Sequence, residues 1–200
     1  MTVELTQDFL HQAGIGNFFR PSQLEPLGIT YRRLRQLEAD AAVERLGWGL
    51  YRLAEAEPTE RYSIASVCAR VPNAIVCLLS ALQVHEIGTQ LPHQVWIAIP
   101  HKAKAPVLKG IGFRLVRFSA AAWTYGVQDT EFESVPARIT SPARTVVDCF
   151  RFQRLIGPEA ALEALREALQ DRKVTAAALQ RTLEVLPARR LSAILKTGVL

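Results

Sequence analysis

The 200-residue chain contains no hydrophobic run approaching the roughly 18–20 residues that a membrane-spanning helix requires. Its first residues, MTVELTQDFLHQ, include acidic side chains and no basic cluster, which is not the pattern of a signal peptide. Cysteine is scarce: Cys68, Cys77 and Cys149 are odd in number, form no CxxC pair and lie in apolar stretches. These absences predict a cytoplasmic protein with small buried thiols and no membrane partner.

Motifs that carry catalysis or hold metals are also missing. His85 and His93 are eight positions apart, whereas the zinc-binding HExxH motif needs its second histidine one helical turn after the first. No serine lies in a GxSxG elbow, and the stretch GIGNFF lacks the lysine and the preceding strand of a phosphate-binding loop. Arg144 and Asp148 are four apart on a predicted helix, a spacing that favours an internal ion pair. The sequence therefore predicts no catalytic residue, no metal and no cofactor.

Acidic residues are absent from one long segment, between Glu86 and Asp129. The net charge of the whole chain is +5, but residues 1–60 hold six basic and nine acidic side chains, a net charge of −3. The basic excess lies instead in residues 61–128, with seven basic residues and one acidic. An anionic partner such as nucleic acid is favoured, although the first segment is poorly supplied with positive charge.

The periodicity of the first 55 residues predicts three helices and a hairpin. A helix over about Val3–Gly14 is followed by a short helix that Ser22 caps and Gly28 ends. Thr30 then caps a helix over Tyr31–Asp40 with Leu34, Leu37 and Ala41 facing inward. The runs VERL and LYRL are short strands that turn at Gly-Trp-Gly. This order predicts a winged helix-turn-helix domain over residues 1–55; the alternative is an ordinary helical hairpin followed by a β-ribbon.

The helix after Gly28 is the best candidate for reading DNA, because it carries side chains of the types that contact base edges. In a helix-turn-helix the second helix enters the major groove, where arginine pairs with guanine and glutamine with adenine. For this helix, the alternative is a solvated face stabilised by Glu38 and Asp40. For Trp48 at the tip of the wing, the alternative is a side chain that folds onto the core of its own domain. The predicted DNA-binding residues are Arg20, Ser22, Thr30, Tyr31, Arg32, Arg33, Arg35, Gln36, Arg45, Trp48 and Arg52.

A second candidate for DNA contact is the loop PHKAKAPVLKG, which joins two predicted strands. Lys102, Lys104 and Lys109 are suited to phosphate contacts, which make binding depend strongly on salt. A merely soluble charged loop is the alternative.

The remainder of the chain predicts a separate domain over residues 59–200, after the linker AEAEPTE. A helix reaches Val71 and stops at Pro72, and AIVCLLSALQVHEIG predicts a buried helix. QVWIAIP is a predicted strand, and FRLVRFS is a second one with alternating side chains. Two more short strands are predicted around Val135-Pro136, and Ser141 caps a helix with Pro142 at its first position. Three helices complete the chain. The predicted fold class is α+β, a winged helix-turn-helix followed by a small mixed sheet packed by helices.

Four pieces in order resemble the AbiEi-type antitoxins of bacterial type IV toxin–antitoxin systems, and the resemblance covers almost the whole chain. They are FFRPSQLEPLGITYRRLRQL with VERLGWGLYRL, ERYSIASVCARVPNAIVCLLSAL, TQLPHQVWIAIP and ITSPARTVVDCFRF. The resemblance implies an N-terminal winged helix-turn-helix that binds inverted repeats in its own promoter and represses it. It implies a C-terminal domain that opposes a nucleotidyltransferase-like toxin without a stable complex. The family's reading helix corresponds to Tyr31, Arg32, Arg33, Arg35 and Gln36.

One departure concerns the wing, where family members often have a basic residue and this chain has Trp48. From the helix-turn-helix pattern, the resemblance and the missing catalytic motifs together, we expect a DNA-binding autorepressor and antitoxin that is not an enzyme. The alternatives are an enzyme that modifies a partner protein or toxin, and a non-catalytic adaptor that holds a partner through its C-terminal helices.

Overall fold

A computed structural model describes residues 4–47, 49–55, 60–108 and 110–197. The protein is mixed α+β and divides into two compact units. The first unit comprises residues 1–72 with 130–137, and the second comprises residues 73–129 with 138–200. The first unit thus continues past residue 55, where the predicted first domain ends, and includes the helix that follows the predicted linker.

The first unit combines four α-helices with a three-stranded sheet among its described residues. The sheet order is β1-β3-β2, and both strand pairs are antiparallel. A 3-10 turn over Glu25–Leu27 follows α2 directly. The elements are α1 (Gln7–Gln12), β1 (Phe18–Phe19), α2 (Pro21–Leu24), α3 (Tyr31–Ala39), β2 (Val43–Gly47), β3 (Leu50–Leu53) and α4 (Tyr62–Arg70).

Helices and strands of the first unit share one hydrophobic core. Leu10, Leu24 and Leu34 enter it from three helices, and Phe19 and Tyr51 enter it from two strands. Each of these five side chains is at most 1% exposed. Their burial fixes which face of each helix remains in solvent, because a helix can turn only one stripe inward.

Two predicted helix starts in this unit differ from the structure. The first helix begins at Gln7, because the Thr6 hydroxyl accepts a hydrogen bond from the Phe9 amide at 3.2 Å and caps it there. The prediction that Ser22 is an N-cap is wrong: Arg20 is the N-cap and Pro21 is the first helical residue. Proline is favoured at that position because its missing N–H is not needed there.

The helices of the second unit pack on a five-stranded sheet with strand order β6-β5-β4-β8-β7. Residues 130–137, which include parts of the last two strands, are grouped with the first unit. Strand β4 pairs antiparallel with β5 and parallel with β8, and β5 pairs parallel with β6. The strands are β4 (Ile75–Val76), β5 (Val95–Pro100), β6 (Phe113–Phe118), β7 (Val127–Phe132) and β8 (Val135–Thr140). The helices are α5 (Leu78–Val84), α6 (Ala120–Thr124), α7 (Pro142–Arg151), α8 (Gln153–Ile156), α9 (Pro158–Gln170), α10 (Ala176–Val185) and α11 (Arg189–Thr197).

The predicted helix over AIVCLLSALQVHEIG is partly wrong. Ile75 and Val76 form the central strand of the sheet, and the helix begins only at Leu78. An apolar run of this length has no periodicity that distinguishes a buried strand from a buried helix. The ladder partners of Ile75, Ala98 and Arg138, are far away in the sequence, so the pairing becomes visible only in the folded chain.

The predicted ion pair on α7 is confirmed. The Arg144 Nε donates to Asp148 Oδ2 at 2.7 Å, and neither side chain is exposed to solvent. Arg144 also donates to the carbonyl oxygens of Ala122 and Tyr125, at the end of α6. Gly126 follows with φ of +61°, and a Cβ there would lie 2.9 Å from the Arg144 Cβ. This arginine therefore fastens α6 and its following turn to α7.

The prediction of buried thiols is confirmed, since Cys68, Cys77 and Cys149 are free and buried. Burial raises the pKa of Cys68 to about 12 and raises the pKa of Cys149 well above its ordinary value. Both thiols are therefore protonated at neutral pH and unreactive as nucleophiles. Within the described ranges, no helix has the length and hydrophobicity needed to cross a membrane.

Candidate nucleic-acid interface

Helix α3 is positioned by a cap, a glycine turn and two buried leucines. Gly28 adopts φ of +82°, a conformation that glycine reaches without steric cost, and ends the preceding 3-10 turn. The Thr30 hydroxyl accepts a hydrogen bond from the Arg33 amide at 3.3 Å, which confirms the predicted N-cap. Leu34 is 1% exposed and Leu37 is 7% exposed. The helix is thus anchored along one face, and its other face is in solvent.

The predicted reading side chains divide into two groups. Tyr31, at 57% exposure, lies on the solvent side together with the exposed residues Arg32, Arg35 and Gln36. Arg33 is half-buried, and its Nε is buried with no hydrogen-bond partner among the described residues. It lies on the flank of the helix, so the exposed face consists of the other four residues.

Two of these exposed side chains are held by carboxylates of the same helix or its C-cap. The Arg35 Nη1 is 2.8 Å from Glu38 Oε2, and the Gln36 Nε2 donates to Asp40 Oδ1 at 3.0 Å. These bonds orient the guanidinium and the amide, while the Arg35 side chain remains 53% exposed. Glu38 and Asp40 therefore act as partners of the predicted reading residues.

The hairpin brings Arg45 close to the start of α3. Arg45 on β2 pairs in register with Tyr51 on β3 and is exposed. Burial raises the pKa of the Tyr51 hydroxyl, the nearby Tyr31 raises it further, and the Arg45 cation opposes the rise. The side chain of Tyr31 hydrogen-bonds with that of Tyr51, which lies opposite Arg45 in the strand ladder, so the exposed Arg45 lies near the start of α3. Trp48, the predicted wing tip, lies outside the described residues.

Arg52, predicted to meet the DNA backbone, is engaged within its own unit. Its guanidinium carbon lies 4.5 Å from the centre of the Tyr62 ring, and its side chain is only 13% exposed. Glu44 approaches its Nη1 at 3.8 Å. Tyr62 lies on α4, beyond the predicted linker, so no local pattern in the sequence signalled this stacking. Of the remaining predicted residues, Arg20 and Ser22 are both exposed at the start of α2.

The basic loop after β5 is fastened by an arginine from the neighbouring strand. The Arg117 Nη1 donates to the carbonyl oxygens of His101 at 2.7 Å and Ala103 at 2.8 Å. Lys102 and Lys104 are exposed on this loop, and Lys109 lies outside the described residues. Arg117 was visible in the sequence only as one more positive charge, yet its hydrogen bonds hold the backbone of the loop on both sides of Lys102.

The histidine considered for metal binding has a structural partner. The His85 Nε2 lies 2.7 Å from the Thr140 carbonyl oxygen, and burial lowers the pKa of the imidazole. Across the described part of the chain, no three histidine, cysteine or carboxylate side chains come together as metal ligands.

These observations define a mixed α+β protein whose first unit presents a helix face of basic and polar side chains. No protein-family model matches the chain, and no curated protein matches it. Among solved structures, the chain is similar to the RV2827C protein from Mycobacterium tuberculosis, with a TM-score of 0.58 and 16% sequence identity. The alignment covers 96% of this chain and 75% of that protein. At this identity the likeness concerns the fold alone.

Proposed function

We propose that this protein binds double-stranded DNA through its first unit and represses transcription from its own promoter. In this proposal α2, the 3-10 turn and α3 form a helix-turn-helix, and the β2–β3 hairpin is the wing. The observation that carries the proposal is the outward presentation of Arg32, Arg35 and Gln36 on a helix whose opposite face is buried. Such a helix fits the major groove with its side chains toward the base edges.

Each side chain of this face has a suitable chemistry for DNA. The arginine fork matches O6 and N7 of guanine, and the glutamine amide matches N6 and N7 of adenine. The exposed Arg20 and Ser22 at the start of α2 suit phosphate contacts, which set the register of the protein on the duplex. Arg45 extends the contact from the hairpin. Arg52 is left out of the proposed interface because it stacks on Tyr62.

The test is a binding titration of the full chain on the duplex upstream of its own gene and on a shuffled duplex of the same length. We expect the upstream duplex to bind tighter by a factor on the order of 10³ or more, as specific DNA-binding proteins do. In a footprint of the upstream duplex, two protected half-sites whose centres are about 10 base pairs or a multiple of that apart would indicate two copies on an inverted repeat. Equal affinity for both duplexes would contradict the proposal.

Neutralising the basic loop tests whether the second unit binds phosphates. We expect Lys102→Gln with Lys104→Gln to weaken binding to both duplexes and to reduce the slope of log affinity against log salt, by about 0.9 for each phosphate that a lysine had neutralised. The matched control replaces Arg189 and Lys196, two exposed cations of α11, with glutamine. If the loop variant and the control show the same affinity and slope as the wild type, the loop does not touch DNA.

The antitoxin role rests on the resemblance of the sequence to the AbiEi-type antitoxins. It predicts a nucleotidyltransferase-like reading frame beside this gene, whose toxicity in growing cells is relieved when this protein is co-expressed. Incubating the two purified proteins with nucleotide distinguishes the alternatives, because an adaptor would co-elute with the toxin, whereas an enzyme that transfers a group from the nucleotide would change the mass of the toxin.

A further inference from the structure

The reading face of α3 carries its own negative charge. Arg35 is bound at 2.8 Å by Glu38, and Gln36 is bound at 3.0 Å by Asp40. The first 60 residues of the chain have a net charge of −3. A surface offered to DNA therefore includes two carboxylates that phosphate groups repel.

These contacts do little for the stability of the helix. The Arg35–Glu38 pair lies in solvent, with side-chain exposures of 53% and 26%. Exposed pairs three or four residues apart on a helix contribute little to stability, since water screens the charges and two side chains must be ordered. The helix is anchored instead by Leu34, Leu37 and the Thr30 cap. A purely structural role would thus leave Glu38 and Asp40 with little effect on any measurement.

If α3 reads DNA, Glu38 would act differently on cognate and random duplexes. On random DNA an arginine gains mainly by approaching a phosphate, and Glu38 both competes for that guanidinium and repels the phosphate. On a cognate site the arginine gains directional hydrogen bonds to a base edge, and its five N–H donors allow it to bond a base while Glu38 still accepts one. The same carboxylate therefore costs more on the wrong sequence than on the right one.

We propose that Glu38 and Asp40 are specificity-determining residues, which aim Arg35 and Gln36 at the base edges and suppress binding to the phosphates of unrelated DNA. This inference rests on the proposed DNA-binding function. It assigns a task to two acidic residues that count, by charge alone, against DNA binding.

The test compares wild type with Glu38→Gln and Asp40→Asn on the upstream duplex and the shuffled duplex at one salt concentration. We expect Glu38→Gln to bind the shuffled duplex about five- to tenfold tighter, which is the effect of freeing one cation for one phosphate near 0.1 M salt. Asp40→Asn should bind it tighter by a smaller factor, because Gln36 is neutral and the change removes only the repulsion between a carboxylate and phosphates. Affinity for the upstream duplex should change less than about threefold, since the amides still accept hydrogen bonds. The preference for the upstream duplex then falls.

Two further variants separate orientation from charge. Glu38→Ala removes the acceptor as well as the charge, so it should weaken binding to the upstream duplex where Glu38→Gln does not. The matched control, Asp8→Asn with Glu60→Gln, removes two exposed carboxylates of the same unit outside the proposed helix-turn-helix and its wing. We expect it to leave the preference unchanged, and thermal unfolding should show all variants folded.

The outcomes distinguish the two proposals. If wild type prefers the upstream duplex but the α3 variants keep the full preference, or gain equally on both duplexes, this inference is overturned and DNA binding stands. If wild type has no preference, both fail.

Discussion

Replacing Arg35 with alanine is expected to weaken binding to the cognate duplex by about 1–3 kcal/mol, and Arg32→Ala by a similar amount. Both side chains are exposed on α3, the face that the proposal places in the major groove. A bidentate arginine–guanine contact contributes about this much discrimination against a wrong base. Binding to the shuffled duplex should fall less, because that duplex offers no matching base edge.

The measurement is a titration by fluorescence anisotropy at fixed salt, with duplexes in which each half-site base pair is changed in turn. Arg35→Ala should lose sensitivity at the base pair that Arg35 reads. Arg35→Lys keeps the charge without the fork and should recover general affinity but not this sensitivity. Arg166→Ala, an exposed arginine of α9, is the matched control. Unchanged affinity for both alanine variants of α3 would count against the assignment of the reading helix.

Replacing Asp148 with alanine is expected to destabilise the protein by about 3–5 kcal/mol, because it leaves Arg144 buried without a counter-charge. Asp148 accepts hydrogen bonds from Arg144 at 2.7 Å and from Arg151 at 2.6 Å. Burial raises the pKa of its carboxyl, and the two guanidinium groups oppose that rise. Arg144 would lose its only carboxylate partner among the described residues while still holding the carbonyl oxygens of Ala122 and Tyr125.

Chemical denaturation at neutral pH measures this loss. Arg151→Ala is the matched comparison within the same cluster: its side chain is 23% exposed, and Asp148 keeps Arg144, so we expect a loss of about 1 kcal/mol or less. Asp171→Ala removes an exposed carboxylate and should have little effect. If the free energy of unfolding of Asp148→Ala equals that of Asp171→Ala, Arg144 has found another partner or a water molecule.

Local patterns predicted much of the first unit. The bounds of α3 agree to within one residue, and the Thr30 cap and the strands on either side of Gly-Trp-Gly are confirmed. Each depends on residues within one helical turn or one hairpin. The pairing of Arg144 with Asp148 was predictable for the same reason, since four residues along a helix place two side chains together.

Contacts between distant residues were not predictable in this way. Arg52 was assigned to DNA because it lies in the predicted wing. No pattern near it in the sequence indicates that its guanidinium stacks on Tyr62. Arg33 and Arg35 are a contrast, because the spacing of Leu34 and Leu37 already predicts Arg33 on the flank of α3 and Arg35 on its outer face, as the structure has them.

The sequence by itself determined which segments become helices and strands around α3, where basic charge is concentrated, and which cysteines are buried. Tertiary structure alone decided that Ile75 and Val76 form a central strand, that Arg117 fastens the lysine loop, and that Arg52 turns to Tyr62. The physical reason is distance along the chain. Caps, periodicity and turns are interactions between near neighbours, whereas strand pairing and the final direction of a long cationic side chain depend on groups that only folding brings together.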